Sequence, residues 1–148
     1  MPPAGKARPT FRIGELATLS GRSVHTIRWY EAQGLMPGVR RDSGGRRVFD
    51  HLHLGWLELM DRLRTTGMSI AEMREYTALV KEGKGTLKQR HAQLAQHRER
   101  VKAHIAELTL SVKLIDRKLR FYDEWIETGK QPEAWWPRAS KTANTRPR

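Results

Sequence analysis

Four arginines stand within ten residues of one another, at Arg40, Arg41, Arg46 and Arg47, with Asp42 as the one acidic residue among them. Four positive charges against one negative charge leave +3 on a segment too short to have a hydrophobic core. Two adjacent glycines between extended flanks are typical of a β-hairpin, so we expect these arginines on a wing. Such a cluster repels itself unless phosphates neutralise it, which indicates a nucleic-acid backbone as partner. The alternative is an ordinary solvated loop.

The segment before the wing has the pattern of two short helices. Ile13–Leu19 carries apolar residues at helical spacing and is followed by Gly21, which is placed to end the helix. Ser23 suits the N-cap of a second helix that closes at Gly34. Two helices joined by a turn of about four residues form a helix-turn-helix arrangement.

The second helix is the candidate recognition helix, with Val24 and Ile27 turned towards the core. Its candidate DNA contacts are Ser23, His25, Thr26, Arg28, Trp29 and Tyr30. His25 and Thr26 lie near the helix N-terminus, where side chains meet base edges in a major groove and where the backbone amides favour phosphate. The arginine can fork onto phosphate or guanine, and the two aromatic residues offer donors to the sugar-phosphate backbone. For the aromatic residues, above all Tyr30, packing in the core is the alternative.

Two further helices follow the wing. Asp50 can cap a third helix that bears apolar residues at helical spacing. Ser69 and Glu72 form a capping box for a fourth, because the hydroxyl and the carboxylate can satisfy two free backbone amides. The sequence therefore predicts a mainly α domain over residues 11–85, preceded by a flexible tail over residues 1–10.

Residues 86–127 contain neither glycine nor proline and carry an unbroken heptad. Alternating steps of four and three give twelve seam positions: Leu87, His91, Leu94, Arg98, Val101, Ile105, Leu108, Val112, Ile115, Leu119, Tyr122 and Ile126. Ten of the twelve are apolar, which is typical of a coiled coil. A helix of this length is roughly 60 Å long, and no other segment can pair with it. We therefore expect a homodimer held by Leu87, Leu94, Val101, Ile105, Leu108, Val112, Ile115 and Leu119.

The composition narrows the function classes. The 148 residues carry 28 basic and 16 acidic side chains, a net charge of +12 that predicts polyanion partners. The absence of cysteine excludes disulfides and thiolate metal sites, and no apolar run is long enough for a membrane span. His91, His97 and His104 lack the one-turn spacing of metal ligands, so no metal or cofactor is expected. No catalytic motif is present, and the expected location is cytoplasmic, on the nucleoid.

The motifs Phe11–Ala17, Thr26–Glu31, Gly34–Leu35, Gly45–Arg47 and Gly67–Ile70, in this order, resemble those of the MerR family of bacterial transcription regulators. The resemblance runs to about residue 79, and the long helix after it also fits the family plan. It implies a winged helix-turn-helix on each subunit, joined by an antiparallel coiled coil. Such dimers bind an inverted repeat in a promoter whose spacer is too long for RNA polymerase, and distort the DNA to realign the promoter.

The same resemblance suggests roles for three arginines. Arg47 matches a contact to the DNA backbone, and Arg46 is its neighbour. Arg64 matches a basic family position near phosphate, and the alternative is an ordinary surface charge on its helix. Two departures from the family pattern are Trp29, which stands where Tyr or Phe is usual, and Arg46, which stands where Tyr is most frequent. Both concern sequence preference rather than DNA binding itself, because neither removes a basic or aromatic contact.

The aldehyde-responsive subgroup of the family is the most similar in two stretches, but its reactive cysteine would fall at about Arg62 in this chain. Thiol sensing is therefore not available, and we expect a small effector sensed without a thiol, or none. Tyr122, Trp125, Trp135 and Trp136 crowd the C-terminal end and are the candidate effector residues; the last two belong to the C-terminal aromatic segment and basic tail, residues 128–148. Aromatic walls suit flat or cationic organic ligands. The alternative is a hydrophobic clasp that packs this segment onto the partner subunit.

A second function class shares the positive charge. A non-specific architectural protein would also bind double-stranded DNA in a salt-dependent manner. A fixed helix-turn-helix on a rigid spacer, however, sets a defined separation between half-sites, which favours a palindromic operator.

Overall fold

The computed structural model describes residues 8–136, and contacts within the chain divide it into two units, Met1–Val101 and Lys102–Arg148. The elements of the first unit are β1 (Thr10–Phe11), α1 (Ile13–Ser20), α2 (Val24–Ala32), β2 (Arg40–Arg41), β3 (Arg47–Asp50), α3 (His51–Thr65), α4 (Ile70–Glu82) and a 3₁₀ turn (Lys84–Thr86). The last helix, α5 (Leu87–Thr128), begins in the first unit and ends in the second. The prediction of a mainly α fold with a winged helix-turn-helix and a long C-terminal helix is confirmed.

The helix ends are set by the capping residues that the sequence indicated. Gly21 ends α1 in the left-handed conformation, with φ +67°. The Ser23 Oγ accepts the Thr26 backbone N–H at 3.1 Å and caps α2. Asp50 caps α3, and Ser69 with Glu72 forms the capping box of α4. These local contacts place α1 and α2 in the helix-turn-helix arrangement.

The wing is the β2–β3 hairpin, and β3 also pairs with β1 in a small antiparallel sheet of order β1-β3-β2. Arg41 lies opposite Arg47 across the hairpin, and Gly45 supplies the left-handed residue that the turn requires, with φ +76°. Strand β1 corrects the predicted extent of the N-terminal tail, residues 1–10, because Thr10 pairs with Asp50 in this sheet. Residues 1–7 of that tail lie outside the described residues.

The core of the first unit joins all of its helices to the wing. The largest fully buried side chains are Leu16, Ile27, Tyr30, Leu35, Phe49, Leu57, Met60, Met73 and Thr77. Phe49 brings the wing strand into this core, so the wing is anchored at its base. The wing and α2 are therefore held in one body.

The first turns of α5 pack on α4 and on the turn between α3 and α4. Leu94 lies against the core of the first unit, so this seam residue also packs within its own chain, and its contact in the dimer stays a prediction. The Arg100 guanidinium donates to His97 Nδ1, so the protonated Nε2 of this buried histidine donates to Thr66 Oγ1 at 2.8 Å. Arg100 also pairs with Glu72 at 2.7 Å. The base of α5 is thus fixed by polar contacts that need a neutral His97.

We expect this contact to make stability depend on pH. Burial, together with the charge of Arg100, lowers the pKa of His97 below its usual value. As the pH falls, the unfolded chain takes up a proton on this histidine before the folded chain does. The contribution of His97 to the free energy of unfolding is therefore fully present above about pH 6.5 and decreases as the pH falls below that value. The melting temperature of the wild type should drop more between pH 7.5 and 5.5 than that of His97→Gln. Equal drops in the two proteins would contradict this assignment.

The second unit consists of the rest of α5 and a strap, residues 129–136, that folds back along it. Gly129, with φ +70°, ends the helix, and its backbone N–H donates to the Trp125 carbonyl. In the strap, Trp135 lies against the Lys118 ammonium, and Trp136 lies against the Arg117 guanidinium. The strap therefore packs on α5 of its own chain. Residues 137–148, which include the expected basic tail, lie outside the described residues.

Two apolar stripes run along α5 in the second unit. The second stripe consists of Leu110, Leu114, Phe121 and Trp125 and was not predicted; only Phe121 is buried, and Trp136 of the strap lines a cavity with Leu110 and Leu114. The seam lies on another side of the helix, where Ile105, Leu108, Val112, Ile115 and Leu119 remain 52–57% exposed. Within residues 8–136, no helix combines the length and the apolar character that crossing a membrane requires.

Candidate nucleic-acid interface

Five arginines from three elements meet in one shallow cavity of about 320 Å³. This arginine cluster consists of Arg12 before α1, Arg28 on α2, and Arg41, Arg46 and Arg47 on the wing. The structure thus brings Arg28 of the recognition helix together with three of the four predicted wing arginines, whereas Arg40 does not line this cavity. Arginine side chains that line an open cavity suit the phosphates of a nucleic-acid backbone.

Asp42 holds the wing turn in shape inside this positive cluster. Its Oδ1 accepts the backbone N–H groups of Gly44 at 3.0 Å and of Arg46 at 2.9 Å, and its Oδ2 accepts from the Arg12 guanidinium at 2.5 Å. The backbone hydrogen bond from Arg46, followed by the bond from Arg12, lowers the pKa of Asp42. The carboxylate therefore stays ionised and fixes both the turn and Arg12.

Arg47 is oriented by the recognition helix. Its Nε donates to Glu31 on α2 at 2.5 Å, and the Arg41 guanidinium donates to the Gly45 carbonyl at 2.6 Å. The terminal amino groups of Arg47 have no other hydrogen-bond partner among residues 8–136, and the side chain is 42% exposed. Arg47 is therefore held in place with donors left for a phosphate.

Along α2, His25 and Arg28 are exposed, whereas Thr26 is half-buried. Thr26 Oγ1 shares a hydrogen bond of 2.9 Å with Ser23 Oγ, the atom that caps the helix. Ser23 is exposed, but its hydroxyl already serves the helix, so its backbone and the free amides at the N-terminus are the better phosphate donors.

Tyr30 corrects one predicted DNA contact, because its side chain has no exposed surface. Its hydroxyl donates to Asp61 on α3, and burial together with this bond raises the pKa of Tyr30 to about 12. Trp29 is half-buried and packs edge-on against Tyr30, with ring centroids 5.3 Å apart. Tyr30 is therefore a core residue, while Trp29 keeps part of its surface exposed.

The geometry has counterparts among known proteins. A family model described as MerR HTH family regulatory protein matches residues 11–79, and one described as MerR, DNA binding matches residues 54–117. An uncharacterised HTH-type transcriptional regulator from Haemophilus influenzae is 31% identical over 134 residues, 90% of this chain and 99% of that protein. The chain belongs to the MerR family of helix-turn-helix regulators. The resemblance seen in the sequence motifs is confirmed.

Solved structures of MerR-family proteins share the fold. A crystal structure of HiNmlR, described as a MerR family regulator lacking the sensor domain and bound to promoter DNA, matches with a TM-score of 0.71 and 33% identity. That match covers 82% of this chain and 97% of HiNmlR. A MerR family transcriptional regulator from Listeria monocytogenes matches with a TM-score of 0.74 and 33% identity, over 80% of this chain and 90% of that one.

Arg64 lies beside the aromatic pair of α2 in this MerR-family chain. Its guanidinium carbon is 5.6 Å from the ring centroids of both Trp29 and Tyr30, and its terminal nitrogen is 3.8 Å from Asp61. The side chain is 47% exposed. Cation–π contact and the nearby carboxylate hold Arg64 at the edge of the recognition helix, where a phosphate can still reach it.

Several residues that shape the interface were missed at the sequence level. Arg12 completes the arginine cluster, and Asp61 pairs with Arg22 as well as with Tyr30. Arg74 on α4 donates to the backbone carbonyl of Gln33 at 2.8 Å and thereby caps the C-terminal end of the recognition helix. Each of these contacts joins residues at least 30 positions apart, so no local spacing could have indicated them.

The candidate effector residues lie in the second unit, and charged side chains of their own chain already face three of the four. Lys118 lies near Tyr122 and Trp135, and Arg117 lies over Trp136. Within residues 8–136, no group of three or more histidine, aspartate or glutamate side chains is arranged to hold a metal ion.

Proposed function

We propose that this MerR-family chain is a sequence-specific DNA-binding transcriptional regulator, not an enzyme, and that it binds an inverted repeat in a promoter as a homodimer. The observation that carries the proposal is the arginine cluster beside a recognition helix with exposed side chains, in one compact unit. Phosphate contacts position a protein on the duplex, and side chains on the recognition helix specify the sequence. The promoter-DNA complex of HiNmlR, which has the same fold, supports this assignment.

The proposed roles divide the interface into two sets. His25 and Thr26, with Arg28, are proposed to read base edges in the major groove. Arg46, Arg47 and Arg64, with the N-terminus of α2, are proposed to hold phosphates. Trp29 is proposed to pack against the sugar-phosphate backbone.

The homodimer is supported by the seam. Its residues from Ile105 to Leu119 are more than half exposed although the strap covers another side of the same helix. An apolar stripe of this length on a soluble helix calls for a partner helix, and an antiparallel second copy buries it symmetrically. Two reading heads at a fixed separation then match a palindromic operator.

The regulatory output follows from the same plan. We propose that the dimer distorts the promoter spacer for RNA polymerase and works at the nucleoid in the cytoplasm. The match with this chain covers 97% of HiNmlR, which is described as lacking the sensor domain. The chain has no cysteine, so the proposed effector is a small molecule sensed without thiol chemistry.

Footprinting on the DNA upstream of the chain's own gene tests the proposal. We expect protection of one palindrome, whereas an architectural protein protects DNA without preference. Arg47→Ala should weaken binding to operator and random DNA alike, by about tenfold, because it removes a phosphate contact. His25→Ala should cost about 1–3 kcal/mol on the operator and little on random DNA.

Arg120→Ala is the matched control for charge, because it removes one exposed arginine of α5 outside the arginine cluster. It should leave both affinities within about twofold. Uniform protection of all DNA would overturn sequence-specific recognition by α2. So would a His25→Ala variant that, like Arg47→Ala, loses as much affinity for random DNA as for the operator.

A further inference from the structure

One lysine ammonium in the second unit is surrounded by three aromatic rings. Lys118 Nζ lies 4.4 Å from the ring centroid of Phe121, 4.8 Å from that of Tyr122 and 4.7 Å from that of Trp135. A cation within about 6 Å of a ring face is attracted by the negative face of the π system. Three such contacts around one ammonium group form an aromatic cage, which we define as Phe121, Tyr122 and Trp135.

The cage is braced by its surroundings. Phe121 is only 8% exposed and contacts Tyr122 and Trp125 edge-on, with centroids 5.6 Å and 5.8 Å apart. Trp135 comes from the strap and contacts Trp136 edge-on at 5.8 Å. The rings are therefore held by their neighbours as well as by the lysine, so the cage does not depend on Lys118 alone.

We propose that this cage is a binding site for organic ammonium ligands and that Lys118 keeps it closed by occupying it. A quaternary ammonium group is less strongly hydrated than a lysine ammonium, so it loses less solvation when it enters an aromatic site. Lys118 sits on a flexible four-carbon stem and can swing out into water when a ligand enters. The lysine thus acts as a competitor attached to the site.

The position of Tyr122 links the cage to the dimer seam. Tyr122 is one of the twelve seam positions and also forms one wall of the cage. A ligand that replaces Lys118 also releases the lysine charge beside the seam. The strap then contacts the ligand through Trp135 instead of contacting Lys118. The role of the cage as an effector site rests on the proposed regulatory function, whereas ligand binding itself does not.

Calorimetric titration of the full chain without DNA tests the cage. The probes are choline and its neutral isostere 3,3-dimethyl-1-butanol, which differ in charge and hardly in shape. We expect choline to bind Lys118→Ala at least tenfold more tightly than the wild type, because the attached competitor is gone. The neutral isostere should not bind either protein, and Trp135→Ala introduced into Lys118→Ala should abolish choline binding.

Lys113→Ala is the matched control, because it removes a lysine of the same helix that does not contact the cage. It should bind choline as the wild type does. Equal affinity of the wild type and Lys118→Ala for choline would overturn the proposal, as would equal binding of choline and its isostere.

Since Lys118→Ala could also loosen the strap, quenching of tryptophan fluorescence by choline in the wild type provides a second measurement, and a flat response at saturating choline counts against the cage. The footprint is measured without ligand, so a failure of the cage leaves the test of DNA recognition intact.

Discussion

The double substitution Ile115→Asp and Leu119→Asp is expected to turn the protein into a monomer and to weaken operator binding at least 100-fold. These two seam residues are 57% and 54% exposed in the single chain, so their substitution costs the isolated fold little. In the proposed dimer, each carboxylate would be buried against apolar side chains. Because the dimer is symmetric, each substitution occurs twice in the interface. If each of the two subunits loses about 2 kcal/mol of dimerisation free energy, the dimer dissociation constant already rises by about 1000-fold.

Analytical ultracentrifugation at micromolar concentration measures the oligomeric state, and a gel-shift titration measures operator affinity. Ala106→Asp is the matched control, because it introduces the same charge on an exposed position of α5 outside the seam and the second stripe. It should remain dimeric and bind the operator like the wild type. A dimeric double variant, or a wild type that sediments as a monomer with and without the operator duplex, would contradict the coiled-coil interface.

The parts of the fold that follow from neighbouring residues were predictable. Gly21, Ser23, Asp50 and the Ser69–Glu72 box set helix ends through contacts spanning two to four residues, so their types and spacing indicated the boundaries correctly. The wing was predicted on the same basis, from its paired glycines and flanking arginines. Positive charge also indicated the interface, because the arginines of the wing and of α2 are both visible in the sequence.

Contacts between distant segments were not predictable from spacing. Tyr30 shares its helix with exposed residues, and its place in the core depends on packing and on a hydrogen bond to Asp61, which is 31 positions away in the chain. The heptad count identified the seam on α5 but not the second stripe, because the strap that returns along the helix after Gly129 brings Trp135 and Trp136 there from a distant part of the sequence. Thr10 likewise has no pattern of its own, and its strand exists because β3 offers a free edge.

Asp61→Ala is expected to lower the stability of the first unit and to weaken DNA binding even though Asp61 is not proposed to touch DNA. The carboxylate accepts the hydroxyl of the buried Tyr30 and the Nε of Arg22, and it lies 3.8 Å from Arg64. Its removal leaves a buried phenol and a guanidinium that is only 14% exposed without this partner. A buried donor without an acceptor costs about 1–3 kcal/mol, and partial solvent access to Asp61 places the expected loss towards the lower part of that range.

The weakened DNA binding follows from what the same carboxylate connects. Arg22 lies in the turn between α1 and α2, Tyr30 lies on α2, and Asp61 lies on α3, so one side chain fixes the recognition helix to the helix that follows the wing. Asp61→Asn keeps the size and one acceptor oxygen and should recover more than half of the lost stability, as measured by urea unfolding. Operator affinity should follow the same order, wild type above Asp61→Asn above Asp61→Ala, at a temperature where all three proteins remain folded by circular dichroism. If Asp61→Ala unfolded at the wild-type urea concentration and bound the operator with wild-type affinity, Asp61 would have no part in positioning α2, and the packing of Tyr30 and Ile27 in the core would have to hold the helix alone.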